Sequence, residues 1–587
     1  MYKKDYPRPQ LMREEWKLLN GEWKFCFDDD NTGERKGWNK GIEGDSMNIT
    51  VPFTYETKMS GIGEEKRHDF VWYERKFDVP EEKIQKKMLL HFEGVDYVAK
   101  VFVNGVMVGT HKGAYARFSF DISPYIRAGE NTLVVKAEDS FSPGQPRGKQ
   151  RWKNENFGCW YVQTTGIWKS VWIEYVEKTY IKEIKTTPDM QNKKVVFDIL
   201  TAGDIWQDGY TLEATVRYKD MHINSSSCVV ATGNAHMEIF LERMDLFEWG
   251  IFSWNCEHPD LYDVDFKLKK DDCIIDEVYS YFGMREIKIE CDKVLLNGEP
   301  LYQRLILDQG YWKNSHLTPP DEEALIKDID AVLAMGYNGV RKHQKTEDER
   351  FLYWCDHKGL LVWSEVGAAY RFDDDAVEDF TNQWMEIVRQ NYSHPSIITW
   401  TPFNESWGIG AVKNDRTHQH FTEAVYHLTK CFDPYRPVIV NDGWEHTCSD
   451  IITLHDYEES GEVFYKRYTE HKDEILAGDM FHCGFRSAFA KGFEYKGQPV
   501  IISEFGGIAF NEDGGWGYGN KVKDEADFVA RFDSITGAIK KLPYVCGFCY
   551  TQVSDVQQEI NGLLDEERNF KIKPEIIKAI NTKSNKE

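Results

Sequence analysis

Over residues 1–180 apolar and polar positions alternate in short runs, among them GEWKFCF, FVWYERKFDV, KMLLHFEG, AKVFVNGVMVG and NTLVVKAED. Turn signals such as Asn104-Gly105 and Ala128-Gly129-Glu130-Asn131 separate them. A period of two punctuated in this way predicts a β-sandwich. Residues 181–284 repeat the texture in KVVFDIL, YTLEATVRY and FKLKKDDCIIDEVYSYFG. Their length, about 100 residues, predicts an immunoglobulin-like sandwich, on length and alternation alone.

After Leu296-Asn297-Gly298-Glu299-Pro300 the period changes, and apolar strand runs alternate with helical stretches. The strand candidates are LYQRLIL, YNGVR, LLVWSE, IITWT, PVIVND, DIITLHD, PVIISEFG and YVCGFCYT. Helices are predicted over 321–336, 347–358, 375–392, 414–432 and 523–541. Eight strands mostly separated by helices across residues 285–587 predict a (β/α)8 barrel rather than a doubly wound sheet. No dinucleotide fingerprint follows the first strand, which agrees.

The 587 residues carry 72 Lys+Arg against 97 Asp+Glu, a net charge of −25, and 41% are hydrophobic. That apolar content supplies sizeable cores and excludes disorder. The acidic balance, unrelieved by any Lys/Arg-rich run, repels a phosphate backbone or an anionic membrane, so no nucleic-acid or membrane partner is expected. The start, MYKKDYPRPQ, has no apolar leader, and no window approaches a membrane span; a cytoplasmic location is the expectation. The 12 Cys lack the spacing of a disulfide framework and are expected to be buried free thiols. Cys546 and Cys549 have C-x-x-C spacing but no second ligand pair, which argues against a metal.

In a (β/α)8 barrel the reacting groups sit where strands end. The fourth strand runs into Thr401-Pro402-Phe403-Asn404-Glu405-Ser406-Trp407 and the seventh into Ser503-Glu504-Phe505-Gly506-Gly507, so each brings a carboxylate to the mouth. Two facing carboxylates are the minimum apparatus for cleaving a glycosidic bond, one attacking the anomeric carbon and the other protonating the departing oxygen. Asn404 offers an amide to a sugar hydroxyl, Trp400 and Trp407 bracket Glu405 with apolar faces, and Gly506 and Gly507 leave room beside Glu504. Sugars need both polar partners and aromatic faces.

These residues carry a resemblance. The run Asn338-Gly339-Val340-Arg341 through Phe351–Asp356 to Gly359–Glu365, the signature Asn391-Tyr392-Ser393-His394-Pro395-Ser396 to Asn404-Glu405, and the Glu504 strand resemble glycoside hydrolase family 2, the group of β-galactosidases, β-glucuronidases and β-mannosidases. In the first unit Leu19-Asn20-Gly21-Glu22-Trp23, Phe102-Val103-Asn104-Gly105 and Thr165-Gly166-Ile167-Trp168 resemble that family's jelly-roll domain. The resemblance implies a retaining double displacement with Glu504 as nucleophile and Glu405 as acid/base, their carboxylates about 5–5.5 Å apart. Burial beside Trp and the charge of Glu504 are expected to keep Glu405 protonated before attack. It further implies that Arg341 keeps Glu504 ionised, and that Asp308, His455 and Tyr457 contact the sugar; Asn441-Asp442-Gly443-Trp444, after the fifth strand, is a further candidate to touch the ligand. Tyr550 stands where many relatives carry a sugar-stacking Trp.

Departures bear on the substrate. Where glucuronidases of the family carry Asn-x-Lys for the sugar carboxylate, this chain has Glu559-Ile560-Asn561, and a glutamate there repels a uronate. Glu365-Val366-Gly367 lacks the histidine that helps the large β-galactosidases bind magnesium, so neither metal nor cofactor is expected; His343 lies one place before Gln344, the position of the family's usual histidine. The leading expectation is an exo-acting β-galactosidase-like enzyme removing a neutral terminal sugar from a small carbohydrate substrate. An α-L-arabinofuranosidase or other terminal glycosidase, and a carbohydrate-binding protein without catalysis, are the alternatives. The loop over 142–152, basic and Gly/Pro-rich, is a candidate to reach the barrel mouth, and the two sandwiches offer surfaces for a homo-oligomer.

Overall fold

The computed structural model describes residues 3–203, 209–230, 232–245, 250–511 and 514–584. The first domain is a jelly roll of two facing antiparallel sheets. Six strands (Gly21–Phe27, Met47–Val51, Phe70–Val79, Val98–Val103, Val106–Lys112, Gly129–Glu138) oppose four (Trp16–Leu18, Lys87–Phe92, Phe118–Asp121, Val171–Val176). The alternate residues Trp23, Phe25, Val71, Tyr73, Leu133 and Val135 meet Leu90, Phe92, Val171 and Ile173 in one core, as period-two burial requires. The second domain pairs a three-stranded sheet (Tyr180–Asp189, Lys194–Ala202, Asn234–Phe240) with a four-stranded one (Tyr210–Tyr218, Met221–Val229, Tyr262–Lys270, Cys273–Phe282), the immunoglobulin-like arrangement.

The barrel strands are β1 (Gln303–Asp308), β2 (Gly339–Lys342), β3 (Leu361–Glu365), β4 (Ile397–Thr401), β5 (Asn441–Asp442), β6 (Ile452–His455), β7 (Val500–Gly506) and β8 (Val545–Thr551). Seven form one parallel sheet in the order β4-β3-β2-β1-β8-β7-β6. Leu305, Leu307, Trp363, Ile398, Ile439, Ile501 and Cys549 fill the interior, and their neighbours Ile306, Val340 and Val362 face the helices. Two-sided burial explains why these strands read as unbroken apolar runs.

The fifth strand is shorter than PVIVND predicts. Only Asn441–Asp442 pairs regularly, against Phe403–Asn404, with one bridge from Trp400 to Val438. On the β6 side the N–H groups of Val438 and Val440 donate to the side chains of Asp450 (2.8 Å) and Ser449 (2.9 Å), so side chains stand where a β5–β6 ladder would.

The predicted helices appear as α1 (Glu322–Ala334), α2 (Glu349–Lys358), α3 (Asp374–Asn391), α4 (Arg416–Phe432) and α7 (Glu525–Lys540). Each starts on an aspartate, Asp321, Asp348, Asp373, Asp415 or Asp524, whose side chain accepts a first-turn N–H. Three helices escape the sequence reading: α5 (Gly461–Glu470), α6 (Lys472–Ala477) and α8 (Pro574–Thr582). All 12 cysteines are free, but only Cys355 and Cys549 are buried, so burial does not explain the rest.

Candidate active site

Glu405 and Ser406 follow β4 with φ of 52° and 59°, two successive side-chain-bearing residues in the left-handed region. Such strain persists only where neighbours over-determine it. Here Glu405 N–H donates to the Asp442 carbonyl (3.0 Å), Ser406 N–H to Asn441 Oδ1 (2.9 Å) and Ser406 Oγ–H to Glu445 Oε2 (2.6 Å). The end of β5 therefore aims the carboxylate that leaves β4.

Arg341, fully buried at the end of β2, organises the centre. Its Nη1 lies 2.8 Å from Glu504 Oε1 and 2.6 Å from Asp442 Oδ2, while Nη2 donates to Asn404 Oδ1 (2.5 Å) and to His343 Nδ1 (3.0 Å). Its Nε donates to Glu365. The planar fork suits this many acceptors as an ammonium could not. With Oδ1 taken, the buried Asn404 Nδ2 has no partner among the described residues and is free to donate to a sugar hydroxyl. Tyr457 donates its phenol O–H to Glu504 Oε2.

His455 binds the two carboxylates together. Its Nδ1 is 2.8 Å from Glu405 Oε1 and 3.4 Å from Glu504 Oε2, and Nε2 is 2.8 Å from Asp442 Oδ2. Burial penalises the charge of Glu504, but His455 and Arg341, with the Tyr457 hydrogen bond, outweigh it and hold the carboxyl below its ordinary value. Burial likewise opposes the charge of His455, yet Glu504 and Asp442 raise it to about 10. His343 is pushed well below its usual value by burial and by Arg341 and Lys149, so it is neutral. One donor atom each from Glu405, His455 and Glu504 lie within 4.8 Å of one another, the distance at which a metal could be held. In this structure His455 and Arg341 join these groups by hydrogen bonds.

The walls come from two domains. Trp407 packs against Trp160 (centroids 5.8 Å apart) and Tyr370 (5.5 Å), and Tyr370 stacks on Trp152 at 4.4 Å. The 142–152 loop does reach the mouth: Arg147 N–H donates to the Ala368 carbonyl (3.0 Å) after β3, and Tyr370 O–H donates to the Gly148 carbonyl (2.6 Å). Further on, Asn156 Nδ2 donates to Gln557 (2.6 Å) and Gln558 (3.0 Å) after β8. Lys149, buried, sits with its Nζ 4.7 Å over the Trp407 ring. On the opposite side Tyr518 stacks on Tyr457 at 3.4 Å.

Of the residues singled out from sequence, Glu405, Glu504, Arg341, His343, Asn404, Trp407, His455 and Tyr457 converge. Asp308 does not join them. Its carboxylate pairs with Lys342 Nζ at 2.7 Å and accepts from Gly310 N–H at 2.8 Å, in a buried ion cluster with Glu347 on the outer side of β1 and β2. Strand parity explains this: Leu307 and Arg341 point inward, so Asp308 and Lys342 point out. Trp400 also faces away, donating to Asp433 (2.8 Å) and packing on Trp384. Tyr550 faces the helix layer, against Phe505 and Phe532, with its hydroxyl accepting from Ile508 N–H. Gly506 makes room for that ring rather than for substrate, since a Cβ there would lie 2.3 Å from it, and Gly507 does the same for Tyr518. Tyr550→Trp is therefore expected to cost about 1–3 kcal/mol by overpacking while leaving the order of preference among sugars unchanged, as a melting curve with a substrate panel would show.

Lys149, Trp160 and Tyr518 were not singled out from sequence; Asp442 was, as part of Asn441-Asp442-Gly443-Trp444 after the fifth strand. Lys149 lay in the flagged loop; Trp160 and Tyr518 had no readable signal, because only the tertiary fold brings their loops to the mouth.

Two β-sandwiches ahead of a (β/α)8 barrel, with a hydrogen-bonded carboxylate pair at its open end, define the architecture of a glycoside hydrolase. Profiles described as glycosyl hydrolases family 2 match in order: the sugar binding domain over residues 16–174, a second domain over 179–285 and the TIM barrel domain over 287–582. The chain belongs to glycosyl hydrolase family 2. It is 30% identical to a β-galactosidase of Thermoanaerobacter pseudethanolicus over 66% of this chain and 50% of that enzyme, so it spans about half the length of this relative. The fold superposes on a β-glucuronidase from Ruminococcus gnavus with a TM-score of 0.79 at 18% identity, covering 97% of this chain and 98% of that one. A family 2 β-galacturonidase from Eisenbergiella tayi gives 0.75 at 22% identity, covering 98% of each.

Proposed function

We propose that the protein is an exo-acting retaining glycosidase that removes one terminal sugar through a covalent glycosyl-enzyme, with a neutral β-galactoside as the first substrate to test. The observation that carries this reading is the close approach of a Glu405 oxygen and a Glu504 oxygen, within 4.8 Å. Retaining enzymes hold their carboxyls at about 5–5.5 Å, whereas inverting ones leave room for water. Glu504, kept ionised by Arg341 and His455, attacks the anomeric carbon; Glu405 gives a proton to the departing oxygen, then takes one from the water that releases the sugar. The loop from the first domain, tied to the barrel after β3 and after β8, walls the cleft on that side, which suits a pocket for a chain end. The β-galactosidase relative supports the choice of sugar.

One observation favours a second reading, an acidic sugar. Lys149 is a buried ammonium with no carboxylate in salt-bridge contact among the described residues. Burial opposes its charge, but Cys159, Glu559, Glu504 and Glu405 raise it above its ordinary value, so it stays a cation beside the cleft. Glu559, which would repel a uronate, is engaged by Tyr161 O–H and by Asn561 Nδ2 (3.1 Å). A panel of nitrophenyl β-galactoside, β-glucuronide, β-galacturonide and α-L-arabinofuranoside separates the readings. If the substrate is a uronide, Lys149→Met is expected to lower kcat/KM by about 10–100-fold, the worth of a charged hydrogen bond, and by far less for a neutral sugar. Hydrolysis of none of the glycosides would overturn the proposed function.

A further inference from the structure

His455 has both ring nitrogens against carboxylate oxygens at 2.8 Å, Nδ1 on Glu405 and Nε2 on Asp442. A neutral imidazole facing two carboxylates would turn a lone pair on one of these oxygens, so the Nδ1–Oε1 contact must hold a proton that His455 and Glu405 share, while Nε2–H donates to Asp442. The ring cannot swing away from this contact. Gly443, at φ 87°, lies so close to its face that a Cβ there would come within 2.4–2.5 Å of the ring, and Trp444 meets it edge-on at 6.3 Å. The charged groups facing the ring are Glu405, Glu504, Asp442 and Arg341, whose Nη1 is 3.4 Å from Nε2. His446 and His482, also near, are held by burial at about 4 and about 3 and stay neutral.

Glu405 has its Oε1 on Nδ1, and Glu504 lies on the same nitrogen at 3.4 Å. The charge on Glu504 therefore favours a proton on His455, and that charge is the one that disappears when Glu504 forms its bond to the sugar. We propose that His455 stores the catalytic proton of this enzyme and exchanges it with Glu405 in step with the charge on Glu504; the proposal rests on the retaining mechanism above. In the resting site the proton is on Nδ1 and Glu405 is a carboxylate, in place of the protonated Glu405 expected from the sequence. As Glu504 forms the bond to the anomeric carbon and the carbon–oxygen bond to the leaving group breaks, the proton passes from Nδ1 to Glu405 and on to the departing oxygen. Neutral His455, ionised Glu405 and esterified Glu504 remain. In the second step Glu405 takes a proton from the attacking water, the ester bond breaks, and the returning charge on Glu504 draws the proton back to Nδ1. Asp442, bound to Nε2, keeps the ring oriented in both states and makes His455 a positioning and proton-holding residue rather than a sugar contact.

The test is His455→Gln, compared with wild type on glycosides of rising leaving-group basicity, with pH profiles of kcat/KM. The expected result is a loss of about 100-fold or more on alkyl glycosides but a much smaller one on a dinitrophenyl glycoside, which leaves without a proton. The alkaline limb is expected to move down by about one pH unit or more, because the couple has lost its more basic member. Equal losses for all leaving groups with an unmoved alkaline limb would overturn the proposal and reduce His455 to a structural part. Asp442→Asn provides the second variant should His455→Gln fail to fold: it removes one of the carboxylates that hold the proton on the ring, so the same limb is expected to shift in the same direction, and an unchanged limb counts against the proposal. Loss of wild-type activity on EDTA treatment, restored by a divalent ion, would also overturn it, since an ion would then occupy the place of the Nδ1 proton. A failure of the retaining mechanism itself shows separately, as an inverted product from the wild-type enzyme.

Discussion

Glu504→Gln is expected to abolish turnover, with kcat falling by about 10⁴–10⁶-fold, the scale on which loss of a covalent nucleophile is felt. The amide keeps the volume and an acceptor for Tyr457, so the fold stays intact and a circular dichroism melt should differ little. What is lost is the negative charge aimed at the anomeric carbon. Glu504→Gly carries the argument further, because the space it opens admits a small anion. Azide should then restore hydrolysis of an activated aryl glycoside, and the product should be the glycosyl azide of inverted configuration, formed by attack from the face where Glu504 stood. Azide has no such effect if Glu504 serves only to bind the sugar. Retention of full activity in Glu504→Gln would remove the proposed mechanism altogether.

The contrast between what was and was not legible in the sequence follows from the kind of information each residue needs. Glu405 and Glu504 could be found because a barrel places strand ends at one face, so sequence position alone brings them together. Arg341, at the end of the second strand, was found through the family resemblance. Asp308 and Tyr550 also end strands, and they failed on parity: β1 and β8 present Leu307 and Cys549 to the interior, so their neighbours face out. Register by one residue decides between a sugar contact and a buried ion pair, and alternation cannot fix it in strands that are apolar on both sides. The N-terminal contribution was legible only as a loop of unusual composition. That Lys149 lies over Trp407 depends on hydrogen bonds from the loop to Ala368 and Tyr370, contacts more than 200 positions apart in the chain. The jelly roll is thus part of the active-site wall as well as a separate sandwich.

Arg341 is where stability and catalysis meet, and its variants should separate the two. Its guanidinium, with no exposed surface, contacts Glu365, Asp442 and Glu504, three buried carboxylates of which only Asp442 and Glu504 have a second cation, His455. Arg341→Met leaves that excess of charge in place without its partner, so a loss of about 3–5 kcal/mol in stability is expected, read as a lowered melting temperature. Arg341→Lys keeps the charge and so most of the stability. It cannot keep the geometry, because one ammonium with three donors does not reach Glu365, Asp442, Glu504 and Asn404 together. Asn404 loses the contact that orients its free amide, and kcat/KM is expected to fall by about 100-fold even though the protein stays folded. The pH profile shows whether the charge or the fork matters to the nucleophile. Arg341 helps hold the Glu504 carboxyl below its ordinary value, so removing its charge in Arg341→Met lets that value rise. Activity requires Glu504 ionised, and the acid limb must therefore move to higher pH in Arg341→Met and stay nearer wild type in Arg341→Lys. An acid limb that does not move in Arg341→Met would mean that His455 alone keeps Glu504 ionised, and Arg341 would then be left with the positioning of Asn404 and His343.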